Sequence, residues 1–319
     1  MTAPAQSFTG FVAESPIMTP TWLQRLEATL RRPTRITVAR YLAARSTGEL
    51  AVEDEFFWQL QLASGVFKAT NRRRFDDTFE VMRAAVASRE SLRVLDVACS
   101  SGVSTVELHR ALARPGLTLE TRGTDIVTRV MHATVDGGAL VYDLDGNVLG
   151  AELDDMLVNT RPNRAMRWHH PWVVHRARGL FARFPARGFT APPGSTVTEV
   201  PLVSSTVAQT SGVEIAEEDL LRPQVAGRFG LIRAANILNR GYFAEPALRA
   251  CVAALLERLE PDGLLFVVRT ERTVNHGTLW ARDRSGVAVA GTVGLGCEIA
   301  ALVEDVARNR PSQGAARGS

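Results

Sequence analysis

Arg93-Val-Leu-Asp-Val-Ala-Cys-Ser-Ser-Gly-Val-Ser-Thr-Val-Glu-Leu108 is the stretch that decides the fold of this chain. A short apolar run ends in Asp96, passes through small residues to Gly102, and then becomes helix-like. That order predicts a buried parallel strand, a tight turn and a helix N-terminus, the place where open α/β sheets bind nucleotide-like ligands. Small residues let the backbone approach a ligand closely and point its amide groups at it. Asp96, at the strand end, can accept hydrogen bonds from a cationic or hydroxylated ligand. Taken alone, the stretch also fits a nicotinamide site or plain packing.

The spacing downstream narrows the reading. Leu117-Thr-Leu-Glu-Thr-Arg-Gly-Thr-Asp-Ile126 predicts a second strand ending in Asp125, 23 positions after Gly102. An acid at that place suits the hydroxyls of a ribose, and dinucleotide folds carry one about 20 residues on. The other reading of Asp125 is a cap for the segment that follows it.

The first stretch resembles motif I of the class I S-adenosylmethionine-dependent methyltransferases, hydrophobic-hydrophobic-Asp-hydrophobic-Gly-x-Gly-x-Gly. Ala98 and Ser100 stand where the first two glycines usually stand, and Gly102 is kept. Alanine and serine there require that those positions avoid positive φ. Val213-Glu-Ile-Ala-Glu-Glu-Asp-Leu220 resembles the family's third strand and its adenine-contacting acidic turn. Phe229-Gly-Leu-Ile-Arg-Ala-Ala-Asn-Ile-Leu238 resembles the fourth strand, with Asn236 just past its carboxyl end. Leu255 to Val268 resembles the family's helix, turn and fifth strand, with Pro261 and Gly263 setting the turn. Gly277 to Gly291 reads as a hairpin turning near Ser285-Gly286, in the place of the sixth and seventh strands, and Glu298 to Ala307 as a closing helix.

The resemblance implies an α/β fold, a Rossmann-like seven-stranded sheet, with an N-terminal helical cap and a long insertion after the second strand. It implies S-adenosyl-L-methionine as cofactor, held by Asp96, Ala98, Cys99, Ser100, Gly102, Asp125 as ribose acid, Ile126, Asp219, Leu220 and Asn236. Arg233-Ala-Ala-Asn-Ile-Leu-Asn-Arg-Gly-Tyr-Phe243 is also distantly similar to a region of the chemotaxis-receptor glutamate methyltransferases. That family's small β-subdomain lies later in its chain, so receptor methylation does not follow.

At 319 residues, 45% of them apolar, the chain has ample material for a large core. It shows neither an 18-residue apolar run nor a basic-then-apolar leader pattern, which predicts a cytoplasmic protein. Cys99, Cys251 and Cys297 have no paired or metal-like spacing, so no metal is expected. The net charge of +3 rests on arginine, since Lys68 is the only lysine; this composition suits a bacterial, G+C-rich source and does not call for nucleic acid.

Residues 1–88 are expected to form the helical cap. Thr21 caps a helix through Leu30; Val52 to Phe67 and Phe75 to Val86 follow with their own apolar faces. Residues 89–319 form the cofactor-binding domain, interrupted by an insertion at 127–212 expected to be a hairpin and helical lid. Asp145-Gly146 marks a hairpin. Arg161 to Arg187 holds seven arginines, no acid, and Trp168, Trp172, Phe181 and Phe184 among them. It fits an amphipathic helix with solvated arginines, a surface for an anionic substrate or partner, or a peripheral membrane contact. His169, His170 and His175 have no acid or cysteine nearby to complete a metal site. The insertion is expected to fold back over the strand ends and form the acceptor pocket, its arginines and tryptophans selecting an acidic or aromatic small molecule.

Sulfonium activation leaves the protein mainly to align an acceptor with the S–CH₃ bond. A base is needed only when the acceptor must lose a proton. His132 and Tyr242 are placed to face the acceptor, and each also fits a structural role. Asn236 is followed by Ile237-Leu238, which lacks the Asn/Asp-Pro-Pro-aromatic pattern of exocyclic amino methylation, and no Pro-Cys dipeptide offers a cytosine C5 nucleophile. The expectation is methyl transfer to a small organic or lipid-like acceptor. The alternatives are a protein side-chain or carboxyl methyltransferase and a non-catalytic cofactor-binding regulator.

Overall fold

A computed structural model describes residues 36–283 and 286–309. The helix expected from Thr21 and the tail beyond Asn309 lie outside them, as does Ser285 of the expected last turn. The chain forms two sheets. The first has seven strands: β1 (Ser91–Val97), β2 (Thr118–Asp125), β8 (Val213–Glu217), β9 (Phe229–Ala235), β10 (Leu259–Glu271), β11 (Val274–Asp283) and β12 (Gly286–Val293), in the spatial order β8-β2-β1-β9-β10-β11-β12. Numbered within their own sheet, these strands run 3-2-1-4-5-6-7, the doubly wound order extended by one strand. The first five are parallel, and β11 and β12 fold back as an antiparallel meander. The fold is therefore Rossmann-like α/β, with the switch point between β1 and β9.

Its central strands are buried on both faces, which is why they read as continuous apolar runs. On one side Leu95, Val97, Ile232, Ala234, Leu265 and Val267 pack with helix α7 (Glu245–Glu257) and helix α8 (Ala300–Arg308). On the other, Val94, Leu231, Phe266 and Leu279 pack with helix α3 (Phe79–Ala85) and helix α4 (Val103–Leu112).

The insertion is larger than a hairpin and helices. β3 (Arg129–Val135), β4 (Gly138–Tyr142), β5 (Val148–Leu153), β6 (Met156–Asn159) and β7 (Val197–Pro201) form a second, wholly antiparallel sheet ordered β6-β5-β4-β3-β7. The Asp145-Gly146 hairpin joins β4 to β5. Both faces of this sheet are covered. Helix α1 (Val38–Thr47) and helix α2 (Leu50–Gln59) lay Tyr41, Phe56, Phe57 and Leu60 on Val130, Val141, Leu149 and Val200. Helix α5 (Arg164–His169) and helix α6 (Pro171–Phe181) lay Met166, Val174, Ala177 and Leu180 on Ala133, Leu140, Ala151 and Val158.

The helices before residue 62 cover the inserted sheet, because their aromatic faces match β3, β4, β5 and β7; only α3 of the expected helical cap sits on the first sheet. The Arg161–Arg187 stretch packs on the face of the second sheet opposite α1 and α2. No helix among the described residues is long and apolar enough to cross a membrane.

Candidate functional site

The turn after β1 has an unusual backbone. Ala98 (φ 54°), Ser100 (φ 60°) and Gly102 (φ 79°) are all left-handed. This corrects the expectation that alanine and serine would avoid positive φ. The glycine-rich turn's conformation is kept without its glycines, at a cost of about 1 kcal/mol or more for each non-glycine residue. Tight packing fixes it in place. Cys99 is buried, and its backbone N–H donates to the Thr124 carbonyl at 2.9 Å. A Cβ on Gly123 would come within 2.9 Å of the Cys99 sulfur and 2.3 Å of the Ile215 side chain, so any larger residue at that crossing would displace them. Burial raises the Cys99 thiol pKa well above its ordinary value, with Asp125 and Asp96 adding to the effect, so the thiol stays protonated and is no nucleophile at neutral pH.

Asp125 ends β2 beside this turn. Its Oδ2 accepts the Ser100 N–H at 2.8 Å and its Oδ1 accepts the Val127 N–H at 3.2 Å. Oδ1 also pairs with Nζ of Lys68, the only lysine, which is 2% exposed. Lys68 Nζ lies 3.5 Å from the Ser100 carbonyl, and the Ser100 hydroxyl donates to the Lys68 carbonyl at 2.8 Å. The segment 61–75 that leaves α2 thus crosses the turn and inserts a cation against the acid assigned to ribose. Sequence reasoning missed this. The one signal available was the uniqueness of Lys68 in an arginine-rich chain.

Asp96 does not present its carboxylate to a ligand. Arg233, fully buried on the neighbouring β9, grips it side-on through Nε and Nη2 at 2.8 and 2.6 Å, and the Thr105 hydroxyl donates to it as well. Arg233 also donates to the Ser104 hydroxyl at 3.1 Å and lies over the Phe75 ring at 5.3 Å. Asp96 is therefore a structural acid beneath α4, which corrects its expected role at the site.

The carboxyl ends of β2 and β8 are tied together: Glu218 N–H donates to the Asp125 carbonyl at 2.9 Å. That brings Asp219 and Leu220, both half-buried, to the same end of the sheet as Asp125, with Ile126 exposed beside them. Asp219 Oδ1 accepts the Leu221 N–H at 2.9 Å, while Glu218 forms a buried pair with Arg258 at 2.8 Å. Asn236 (φ 61°) lies past β9 as expected, but its Oδ1 accepts the Thr270 N–H at 2.7 Å and so joins β9 to β10. Thr270 in turn accepts from Arg74 at 3.0 Å, and burial lowers the Arg74 pKa.

Of the two residues expected to face the acceptor, Tyr242 lies half-buried beyond Asn236. His132 belongs to β3 of the second sheet, 3.7 Å from Glu152, with Nε2 buried and lacking a hydrogen-bond partner. Burial lowers its pKa, partly opposed by Glu152.

The second sheet is fastened to the turn. Ser204, which follows β7, donates its N–H to the Ser101 carbonyl at 2.8 Å. Glu53 of α2, fully buried, accepts the Ser205 N–H at 2.9 Å and the Ser204 hydroxyl at 3.2 Å. The site thus has a floor of left-handed backbone, an acid at its rim, and a wall supplied by α2 and the chain leaving β7.

The donor set fits S-adenosyl-L-methionine. Small residues in left-handed turns allow close backbone approach, and Asp125 can accept from vicinal hydroxyls once Lys68 gives way. Ser100, Asp125, Ile126, Asp219 and Leu220 are the residues that would hold it.

No protein-family model matches the sequence, and no curated protein matches it. Solved structures align with part of the chain at low identity. An N-methyltransferase, NodS, from Bradyrhizobium japonicum in complex with S-adenosyl-L-homocysteine is 14% identical, with 62% of this chain and 63% of that one aligned and a TM-score of 0.30. An S-adenosylmethionine-bound amino pentose methyltransferase from Micromonospora echinaspora is 15% identical over 66% and 63%, with a TM-score of 0.28. The magnesium protoporphyrin IX methyltransferase of Synechocystis PCC 6803, with bound S-adenosylmethionine, is 12% identical over 62% and 60%, with a TM-score of 0.27. This chain thus spans less than two thirds of each of these proteins.

Proposed function

We propose that this chain is an S-adenosylmethionine-dependent methyltransferase acting on a small organic or lipid-like acceptor. The observation that carries the reading is the turn at 98–102: three left-handed residues in a row of five, two of them at an energetic cost, with Asp125 hydrogen-bonded to the middle one. Backbone strain of this kind is held by the packing around it and clusters at ligand sites. The cofactor brings an already activated methyl group. The protein's residues then bind, orient and exclude water: Asp125 takes the ribose hydroxyls, Asp219 and Leu220 border the adenine, and the wall from α2 and residues 202–205 shields the acceptor.

A second reading is a cofactor-binding regulator without turnover. The Lys68–Asp125 pair and the withdrawal of Asp96 to Arg233 favour it, since both of the acids nearest the turn already hold a cation. One experiment separates the readings. S-adenosylhomocysteine should bind in calorimetry and NADH should not. Methyl-labelled cofactor added to fractionated lysate should then place label in small molecules. Label in protein would favour a protein methyltransferase, and binding without any label transfer would favour the regulator. NADH binding with no heat from S-adenosylhomocysteine would overturn both.

A further inference from the structure

Helices α5 and α6 bury one side in the second sheet through Met166, Val174, Ala177 and Leu180, with Phe181 and Phe184 packed beside them. Two large residues take no part in that packing. Trp168 is 73% exposed and Trp172 is 79% exposed, four positions apart across the junction of the two helices. A tryptophan needed by the core would be buried, so the amphipathic-helix reading explains the apolar stripe and leaves these two indoles unexplained.

Their surroundings are cationic. Arg161, Arg167, Arg178 and Arg187 are exposed, and none forms an ion pair with another described residue. Arg176 and Arg183 are balanced by Asp154 and Asp136 from the neighbouring hairpin turns. No acid occurs between residues 161 and 187. The surface therefore combines uncompensated guanidinium groups with indoles standing clear of the protein.

The geometry points to this outer face of the second sheet as a docking surface for an anionic phospholipid bilayer. Guanidinium groups grip phosphodiester oxygens in pairs, and an indole sits at the headgroup level with its ring toward the acyl chains and its N–H toward water. The indoles lie on the outer side of the helices, which suits insertion into a soft surface better than stacking on bases within a groove. The placement is also compatible with an open site. The turn at 98–102 is fastened to Ser204 and, through Ser204 and Ser205, to Glu53 of α2, whereas α5 and α6 cover the opposite face of the second sheet. The inference stands whether or not the chain transfers methyl groups.

Co-sedimentation of the full chain with phosphatidylserine–phosphatidylcholine vesicles, beside vesicles of phosphatidylcholine alone, tests it. The chain is expected to bind the anionic vesicles, to be released by salt, and to show a blue shift of tryptophan emission on binding. Because the altered side chains are exposed, Trp168→Ser with Trp172→Ser, and Arg167→Gln with Arg178→Gln and Arg187→Gln, should leave the far-ultraviolet dichroism unchanged. Each set should weaken partitioning by about tenfold or more. Failure to bind, equal binding to both vesicle types, indifference to the variants, or binding confined to duplex DNA or RNA would overturn the inference.

Discussion

Replacing Lys68 by methionine probes the candidate site most directly, because it is expected to weaken the fold and strengthen the ligand. Lys68 is almost completely buried, its Nζ paired with Asp125 Oδ1. Removing one member of a buried ion pair costs about 3–5 kcal/mol when the other charge is stranded. Asp125 is not stranded, since it keeps the Ser100 and Val127 N–H groups at 2.8 and 3.2 Å. Methionine also refills the space of the lysine stem, so the expected loss is about 2 kcal/mol, read as a lowered thermal or urea midpoint. Ribose hydroxyls must take Oδ1 from a charge-assisted hydrogen bond worth about 1.5–3 kcal/mol, a factor of roughly 10 to 150 in affinity.

Lys68→Met should therefore tighten S-adenosylhomocysteine binding in calorimetry by at least about tenfold. The gain has to disappear when Asp125→Asn is also present, since the acid for which the two cations compete is then gone. A variant that loses stability while binding no more tightly, or more weakly, refutes the argument. It would mean that Lys68 shares the site with the ligand instead of competing for it.

Ala98→Gly should stabilise the fold by about 0.5–1 kcal/mol, because relief of the left-handed backbone outweighs the extra freedom of glycine in the unfolded chain; chemical denaturation measures it. Arg233→Met should destabilise by about 3–5 kcal/mol, since Asp96 is then buried with only the Thr105 hydroxyl, and Arg233→Met with Asp96→Leu should recover much of the loss. Burial lowers the pKa values of both His109 and His132 below their ordinary 6.5, with Arg110 adding to the effect at His109 and Glu152 opposing it at His132. The unfolded chain then binds more protons than the folded one. Stability should be complete above the ordinary histidine value and fall as pH drops below it, with a shallower slope in His132→Gln.

The parts of this molecule legible in sequence are those set by local order. β1 could be read because a strand buried on both faces is an unbroken apolar run, and Asp125 because an acid ends the next such run. The backbone at 98–100 was misjudged for a related reason. Avoidance of positive φ by alanine and serine is a local preference of about 1 kcal/mol, and the packing of Cys99 against Gly123 and Ile215 overrides it. What stayed hidden depends on pairs far apart in the chain: Lys68 and Asp125 are 57 positions apart, Arg233 and Asp96 are 137. No local pattern marks such partners.

The same limit explains the second sheet. The faces of α1 and α2 showed that they must be covered, and said nothing about which of two sheets would do it. The consequence reaches function. Because α2 carries Glu53 to Ser204 and Ser205, and the segment after α2 carries Lys68 to Asp125, the inserted sheet and the candidate site share a single stretch of chain, residues 50–75. A ligand that displaces Lys68 must move a segment anchored at its start to the inserted sheet and at its end to α4, where Arg73 N–H donates to Glu107 at 2.8 Å. Occupancy of the site and the seating of the second sheet are thereby coupled through covalent connection as well as through contact. Hydrogen exchange at residues 61–70 and 200–206 should therefore change together when S-adenosylhomocysteine binds, and independent change at the two segments would contradict the coupling.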